Sequence, residues 1–166
     1  MTAAVLTVSD SCARGERRDA SGPAVAAALQ AKGFQVVGIE VVPDQVTAIG
    51  NALLRLVERA RLVVTTGGTG VAKSDVTPEA TRSVCDRMVE GIAERMRSEG
   101  AKQTPRAALS RAVCGIRGAS LVLNLPGSPA AATESLATVI DLLPHALELL
   151  AGKTAHAAQA EPHTLL

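Results

Sequence analysis

Aromatic side chains are almost absent from this chain of 166 residues, which contains one Phe and neither Tyr nor Trp. Such a chain cannot offer the aromatic platforms on which many proteins stack single-stranded nucleic acid. An excess of one charge is lacking too, because the formal net charge is only +1. No basic surface for a phosphate backbone is therefore predicted. We expect no nucleic acid among the partners, and a core built from Val, Leu, Ile and Ala.

Long apolar runs and paired cysteines are also missing. No run approaches the length of a membrane-spanning helix, and the first residues lack the basic and apolar segments of a secretory signal. The three cysteines, Cys12, Cys85 and Cys114, lie far apart and form no C-x-x-C pair. This pattern indicates reduced thiols rather than a disulfide or zinc framework. We therefore expect a cytoplasmic protein that does not associate with a membrane.

Short apolar runs alternate with helical patterns along the chain. The predicted elements are strands at residues 3–8, 34–42, 62–65, 112–116 and 119–125, and helices at residues 21–32, 45–59, 77–100 and 130–150. We expect breaks at Glu90-Gly91 and before Pro144 in the last two helices. The alternation predicts an α/β fold with a mostly parallel sheet covered by helices on both faces. Residues 1–152 are expected to form one domain, and residues 153–166 a flexible tail.

A glycine-rich loop follows the predicted strand at residues 62–65. Three of four successive positions, 67–70, are glycine, which permits positive φ and a close approach of ligand to backbone. Thr77 is expected to be the N-cap of the next helix, with Pro78 at its first position. A strand, a glycine loop and a helix start together present backbone N–H groups to an anion. The alternative is that this segment is simply a tight turn between strand and helix, with no binding role.

Two common glycine motifs do not fit this loop. The dinucleotide-binding fingerprint needs a third glycine at a spacing that the chain lacks. The P-loop pattern is missed by one residue, because Ala72 stands where its second glycine belongs. The helix start at Thr77 is also too late for a P-loop.

Asp75 lies between the glycine loop and the helix. A carboxylate beside a phosphate repels it unless a divalent cation lies between them. Because ligands bind at the carboxyl ends of parallel strands, the turns at Ser9-Asp10, at Asp44 and at the glycine loop should meet at one edge of the sheet. The alternatives remain that Asp44 caps a helix, Asp75 is a solvated acid and Asp10 forms a turn.

Several motifs resemble one family in order and spacing. They are the segments Val8-Ser9-Asp10, Asp19-Ala20-Ser21-Gly22, Thr65 to Gly70, Asp75 to Thr81, Leu109-Ser110-Arg111 and Asn124 to Pro129. Together they resemble the molybdopterin-binding proteins of molybdenum cofactor biosynthesis, most of all the adenylyltransferase (MogA) branch and next the MoaB branch. The similarity runs from Val5 to about Gly152. Lys73-Ser74 stand where many relatives carry Arg.

This resemblance implies a three-layer αβα fold and an activity. The family's enzymes transfer AMP from ATP to the terminal phosphate of molybdopterin with Mg²⁺, releasing pyrophosphate. The resemblance gives Asp44 and Asp75 catalytic importance, and we expect both to be metal ligands. The residues expected to bind nucleotide or phosphate are Ser9, Asp10, Thr66, Gly67, Gly68, Thr69 and Gly70. Those on the pterin side are Ser110, Arg111, Asn124, Pro126, Gly127 and Ser128, of which Pro126 and Gly127 are expected chiefly to shape their loop.

The resemblance further implies a homotrimer, or a hexamer as in some MoaB-like proteins, and a downstream protein that inserts molybdate. Two other functions stay open at this point. One is a protein that holds molybdopterin without turnover, and the other is a nucleotidase that hydrolyses ATP without pterin.

Overall fold

The computed structural model describes residues 1–153 of the chain. The predicted tail, residues 153–166, lies outside the described residues apart from Lys153. The strands are β1 (Thr2–Val8), β2 (Gln35–Val42), β3 (Leu62–Thr66), β4 (Arg87–Met88), β5 (Cys114–Arg117) and β6 (Ser120–Leu125). The helices are α1 (Asp10–Ala13), α2 (Ser21–Ala31), α3 (Val46–Val57), α4 (Thr77–Val84), α5 (Glu90–Ala101), α6 (Pro129–Ala137) and α7 (Leu143–Leu150), with 3₁₀ helices at Pro105–Leu109 and Ile140–Leu142.

The six strands form one sheet in the order β2-β1-β3-β6-β5-β4. Strands β2, β1, β3 and β6 run parallel, whereas β5 and β4 are antiparallel to their neighbours. The prediction of a mostly parallel sheet is confirmed. The first crossover leads from β1 to β2 on one side, and the second leads from β2 back past β1 to β3 on the other side, so the chain has a topological switch point beside β1. Ligands of open α/β sheets bind at the carboxyl ends of the strands at such a point.

Alternating side chains of the central strands point into two separate cores. Ala3 and Val5 of β1 pack in one core, which is completed by α2, α5, α6 and α7. Ala4, Leu6 and Val8 of the same strand pack in the other, which is completed by α3 and α4. This alternation is the period-two pattern of a strand covered on both faces. The predicted three-layer αβα arrangement is thus confirmed, and Phe34 is the one aromatic side chain in the two cores of the described chain.

One predicted helix is interrupted by a strand. The predicted helix at residues 77–100 instead ends at Val84, and β4 precedes α5. Asp86 N–H and Val89 N–H donate to the carbonyl oxygens of Ile116 and Cys114, at 2.7 and 2.8 Å. Pairing with β5 thus satisfies backbone groups that a continuous helix would have bonded internally. The break therefore lies earlier than Glu90-Gly91.

The break predicted before Pro144 is present, since α6 ends at Ala137 and α7 begins at Leu143. The loop 67–76 is followed by α4, and the N-cap position of α4 is Val76 rather than Thr77. Among the described residues no helix is both long and apolar enough to cross a membrane.

Candidate functional site

The turns after β1 and β2 are locked together by two aspartates. Asp10 N–H donates to Asp44 Oδ2 at 2.8 Å, and Asp44 N–H donates to Asp10 Oδ1 at 2.9 Å. Gln45 rather than Asp44 is the N-cap residue of α3. The capping alternative for Asp44 is therefore wrong, because its carboxylate faces the neighbouring turn. Ser9 caps the short α1, where its hydroxyl accepts from Cys12 N–H at 3.3 Å.

The glycine loop passes directly over the end of β1. Gly67 has φ of 101°, and a Cβ at this position would lie 2.2 Å from the carbonyl oxygen of Val8. Its N–H donates to the Leu125 carbonyl at 3.1 Å, so this N–H is not available to a ligand. Only glycine fits here, both for conformation and for space. Gly67 therefore brings the loop into contact with the switch point.

The next two glycines lie beside the predicted acidic residues. A Cβ at Gly68 would lie 3.1 Å from Asp44 Oδ1, and one at Gly70 would lie 2.8 Å from Asp75 Oδ2. Within residues 1–153 the backbone N–H groups of Gly68, Thr69 and Gly70 have no hydrogen-bond acceptor. Two carboxylates thus lie beside a short stretch of backbone whose three N–H groups have no acceptor among the described residues. The sequence predicts these residues as a site for a phosphate held with a cation, and that assignment stays a prediction.

Thr77 connects the glycine loop to the start of α4 through two hydrogen bonds. Its N–H donates to the Gly68 carbonyl at 3.1 Å, and its hydroxyl donates to the Gly67 carbonyl at 2.9 Å. The predicted N-cap role of Thr77 is wrong because its hydroxyl is a donor to the preceding loop instead of an acceptor for the helix. Its buried position nevertheless fixes where the helix begins relative to the glycines.

The carboxylates repel one another at this edge. Partial burial raises the pKa of Asp44, and the negative charges of Asp10 and Asp75 raise it further, against the hydrogen bond from Asp10 N–H. Asp44 Oδ1 and Asp75 Oδ1 have no donor among the described residues, since their partners Asp10 N–H and Ala72 N–H contact the other oxygens. A cation placed between these oxygens would relieve the repulsion.

The donor set fits Mg²⁺. Magnesium is usually held by one or two carboxylates, with substrate phosphates and water as its other ligands. In the part of the chain that the structure describes, no group of three or more His, Cys, Asp or Glu side chains converges as a complete metal cage. A magnesium site here would thus take two carboxylates from the protein and depend on the substrate for the rest.

A cavity of about 440 Å³ opens beside the glycine loop. Gly68, Thr69 and Gly70 of the glycine loop form one wall together with Asp75. Residues of α5, α6 and the first 3₁₀ helix form the other walls. Its lining includes Gly68, Thr69, Gly70, Asp75, Ala93, Met96, Arg97, Glu99, Gly100, Arg106, Ala107, Leu109, Ser110, Ala112, Pro126, Gly127, Ala131, Glu134, Ser135 and Thr138. A mostly apolar cavity with a few polar groups, in this range of volume, is typical of a small-molecule site.

The predicted pterin-side residues divide into two groups. Ser110, Pro126 and Gly127 line the cavity. Ser128 does not line the cavity. It is instead the N-cap of α6, where its hydroxyl accepts from Ala131 N–H at 3.2 Å. The hydroxyl of buried Thr66 donates to the Pro126 carbonyl at 2.7 Å, which ties the glycine loop to the loop after β6. Thr66 therefore stabilises the cavity wall without lining the cavity itself.

Asn124 is fully buried and lies outside the cavity. Its Nδ2 donates to the hydroxyls of Thr65 and Thr81, at 3.0 and 2.9 Å. Its Oδ1 accepts from Val113 N–H at 3.4 Å. The side chain thus joins β6, β3, α4 and the segment before β5. It sets the relative positions of the elements that carry the site.

Arg111 is turned away from the large cavity and lines a second cleft of about 320 Å³. Its Nε donates to the Gly70 carbonyl at 2.7 Å, and its backbone N–H donates to the Thr69 carbonyl at 2.8 Å. The guanidinium also contacts the Asp75 carbonyl and forms an ion pair with Glu79. The hydrogen bond with Arg111 lowers the pKa of Glu79.

Sequence reasoning missed the helical wall of the cavity. Ala93, Met96, Arg97 and Gly100 recur on one face of α5 and line the cavity together. The charged residues of this stretch predict a solvated face that includes Arg97, but its Nη1 donates to the Ala112 carbonyl at 2.9 Å. A signal was present in the sequence, because small and apolar residues at helical spacing interrupt an otherwise charged stretch.

Comparison with known proteins gives a consistent result. The model of the family described as "Probable molybdopterin binding domain" matches residues 4–145. The chain is 40% identical over 152 residues to a molybdopterin adenylyltransferase of Helicobacter pylori, covering 89% of this chain and 86% of that protein. It is 43% identical over 155 residues to the molybdenum cofactor synthesis protein cinnamon of Drosophila melanogaster, covering 90% of this chain but only 26% of that longer protein.

A solved structure agrees with the sequence relatives. The molybdopterin biosynthesis enzyme MoaB of Thermus thermophilus is 49% identical to this chain, with a TM-score of 0.86 and coverage of 91% of this chain and 96% of the other. The family match spans most of the chain, and its segment contains the glycine loop, both aspartates and the cavity. This chain belongs to the molybdopterin-binding domain family of molybdenum cofactor biosynthesis.

Proposed function

We propose that this protein is a molybdopterin adenylyltransferase, which transfers AMP from ATP to the terminal phosphate of molybdopterin. The observation that carries the proposal is that Asp75 lines one cavity together with Gly68, Thr69 and Gly70, whose N–H groups have no acceptor within residues 1–153, while Asp44 lies beside Gly68. A relative that is 40% identical and matches over 86% of its own length bears this activity in its name.

The reaction requires placement and charge neutralisation more than acid–base chemistry. An oxygen of the pterin phosphate forms a bond to the α-phosphorus of ATP, while the bond from that phosphorus to the bridging oxygen breaks and pyrophosphate leaves. The attacking oxygen is already anionic at neutral pH, so no strong general base is needed. The N–H groups of Gly68, Thr69 and Gly70 bind phosphate oxygens and orient them for an in-line displacement.

Asp44 and Asp75 are the residues that would hold Mg²⁺. The ion, when bound, neutralises the charge that develops on the departing pyrophosphate. The two carboxylates would hold the ion beside the glycine loop, and its charge would offset their mutual repulsion. Ser9 and Asp10 support this arrangement from the turn after β1, since Asp10 N–H fixes the Asp44 carboxylate.

The large cavity is proposed as the pterin pocket. Its volume of about 440 Å³ suits a ligand of pterin size, and Ser110, Pro126 and Gly127 lie on its wall. Arg97 contributes a cation that has no carboxylate partner among residues 1–153. The pocket therefore offers apolar surface for a ring system and positive charge for an anionic substituent.

A second candidate is favoured by one observation. The structural neighbour at 49% identity is a MoaB protein, so the chain could hold molybdopterin with little or no turnover. Incubation with ATP, Mg²⁺ and molybdopterin separates the candidates. We expect pyrophosphate release that depends on molybdopterin, together with an AMP adduct detected by mass spectrometry. Binding of pterin without pyrophosphate release would favour the second candidate, and ATP hydrolysis without pterin would favour a nucleotidase.

We further propose a homotrimer, with a hexamer as the alternative, and a cytoplasmic location. Apolar side chains exposed on the edge strand β2, such as Ile39 and Val41 at 44% and 39% exposure, support self-association. The product of the proposed reaction is an activated pterin, so a protein that inserts molybdate is the expected next partner.

A further inference from the structure

The segment of residues 69–75, named here the Asp75 loop, carries one of the two acidic residues of the site. Residues 71–74 are all exposed. Inside the loop, Ala72 N–H donates to Asp75 Oδ2 at 2.9 Å and Asp75 N–H donates to the Ala72 carbonyl at 3.0 Å. These bonds shape the loop but do not attach it to the protein.

Attachment depends on one residue. Within residues 1–153, every hydrogen bond between the Asp75 loop and the rest of the chain is donated by Arg111. Its backbone N–H contacts Thr69, its Nε contacts Gly70, and its guanidinium contacts the Asp75 carbonyl. The two ends of the loop are thus held by one planar, rigid group.

Arg111 is itself fixed from two sides. Its guanidinium pairs with the carboxylate of Glu79 on α4. The backbone on its C-terminal side is held by Arg97, which donates to the Ala112 carbonyl, and by Asn124, which accepts from Val113 N–H. The position of Asp75 therefore follows from a connected set of contacts that reaches α4, α5 and β6.

We propose that Arg111 and Glu79 act together as positioning residues, which hold the Asp75 loop in the geometry that the reaction requires. This inference rests on the proposed function and assigns Arg111 a role other than direct contact with the pterin. Most of its donors are used within the protein, and it lines the second cleft rather than the large cavity. Glu79 keeps the guanidinium aligned with the loop carbonyls, and a charged pair of this kind restricts rotation of the side chain.

The test compares Arg111→Ala and Arg111→Lys with the matched variant Arg117→Ala. Arg117 also pairs with a carboxylate, Asp86 at 2.9 Å, and the two members of this pair are exposed to a similar degree as those of the Arg111 pair. Arg117 lies at the end of β5, outside the residues that line the large cavity. It controls for the general loss of a surface ion pair.

Amide hydrogen exchange is the first readout. Within residues 69–75 only the N–H groups of Ala72 and Asp75 have acceptors among the described residues, so these two amides report on the loop. Their exchange should accelerate by about tenfold or more in Arg111→Ala, since a loss of about 1.4 kcal/mol in local hydrogen bonding corresponds to about tenfold in the opening equilibrium. Exchange in the two cores should not change, and Arg117→Ala should leave residues 69–75 as in the parent. Arg111→Lys should be intermediate because a lysine replaces the fork by a single ammonium.

Kinetics give the second readout. Turnover should fall by about tenfold or more in Arg111→Ala, while KM for molybdopterin stays within about threefold, because a positioning residue acts on the chemical step. Raised Mg²⁺ should restore part of the rate. Glu79→Gln should show the same pattern more weakly.

Two results would overturn the inference. Unchanged exchange of the Ala72 and Asp75 N–H groups in Arg111→Ala would show that the loop is held by other forces. A raised KM with normal turnover in Arg111→Lys would identify Arg111 as a ligand of the substrate anion. The exchange measurement does not need an active enzyme, so a parent protein without adenylyl transfer would refute the proposed function and leave the loop attachment decided by exchange.

Discussion

At the scale of single residues, Asp75 and Asp44 differ in how each carboxylate is held. Each has one oxygen bound by a backbone N–H and one oxygen free among the described residues. The Asp44 carboxylate is bound by the neighbouring turn after β1, whereas the Asp75 carboxylate is bound only by an N–H group of its own loop. The charge of Asp75 can therefore be removed without changing the contacts between elements.

We predict that Asp75→Asn lowers turnover by about a hundredfold or more, since several kcal/mol of charge stabilisation would be lost with the metal. The amide oxygen can still accept from Ala72 N–H, so the loop should keep its shape. Pterin affinity should change little. Single-turnover adenylylation over a range of Mg²⁺, with calorimetric titration of pterin, checks both parts. Asp86→Asn, which also alters a carboxylate bound to a backbone N–H, should behave as the parent. Normal turnover of Asp75→Asn would show that Asp75 is not a metal ligand.

Gly67 shows how little room the site leaves for change. We predict that Gly67→Ala lowers the free energy of unfolding by more than about 2 kcal/mol, because the positive φ is strained for alanine and the new methyl group meets the Val8 carbonyl. Urea unfolding followed by circular dichroism measures the loss. Gly33→Ala is the control: its φ is also positive, but no atom lies within 4 Å of the added Cβ. A similar loss in both variants would mean that conformation, not contact, sets the cost.

At the scale of elements, Asn124 is the junction between β6, β3 and α4. We predict that Asn124→Ala destabilises the fold by about 2–4 kcal/mol, since it leaves the hydroxyls of Thr65 and Thr81 and the N–H of Val113 buried without their partner. Thermal unfolding measures the change. Ser128→Ala removes a cap at an exposed helix end and should cost about 1 kcal/mol. Loss of pterin binding in Asn124→Ala with unchanged stability would instead indicate direct contact with the ligand.

Two thiols, those of Cys85 and Cys114, lie at the β4–β5 corner and are shielded from solvent. Burial raises the pKa of Cys85 to about 11 and that of Cys114 to about 12. The folded state therefore favours the protonated thiols, and this contribution to stability is complete below the ordinary thiol pKa of 9.0 and is lost as the pH rises through these values. At mildly alkaline pH the thiolate fraction of Cys85 should be about a hundredfold below that of an unfolded chain. Alkylation followed by mass spectrometry, with and without denaturant, tests this. Equal rates in both states would refute it.

The sequence predicts most of these elements, but not the contacts between them. Apolar runs and helical spacing are local, so β1, β2, β3, β6 and the helices between them could be assigned. Strand β4 could not, because only its pairing with β5 distinguishes it from the helices on either side. The glycine loop and Asp75 are identified by their residue types, whereas the roles of Arg111 and Asn124 depend on partners more than 20 residues away in sequence. Local patterns carry no information on such partners.

At the scale of the whole molecule, the edge strand β2 is the least covered strand of the parallel part of the sheet. We predict that the protein is a trimer in solution, and that Val41→Asp weakens the assembly by placing a charge on this edge. Light scattering coupled to gel filtration gives the mass. Leu142→Asp places the same charge on an exposed site of the second 3₁₀ helix and should leave the mass unchanged. A monomeric parent protein would contradict the prediction.

The aliphatic composition of both cores has an optical consequence. With no Trp or Tyr in the sequence, the protein itself contributes almost no absorbance or fluorescence in the near ultraviolet, and the single Phe34 is buried between α2 and β2. A conjugated ring that enters the cavity would be seen against a nearly transparent background. One tryptophan introduced at Leu109, an exposed position on the cavity wall, would report occupancy through energy transfer to such a ring, with no other emitter in the molecule to subtract.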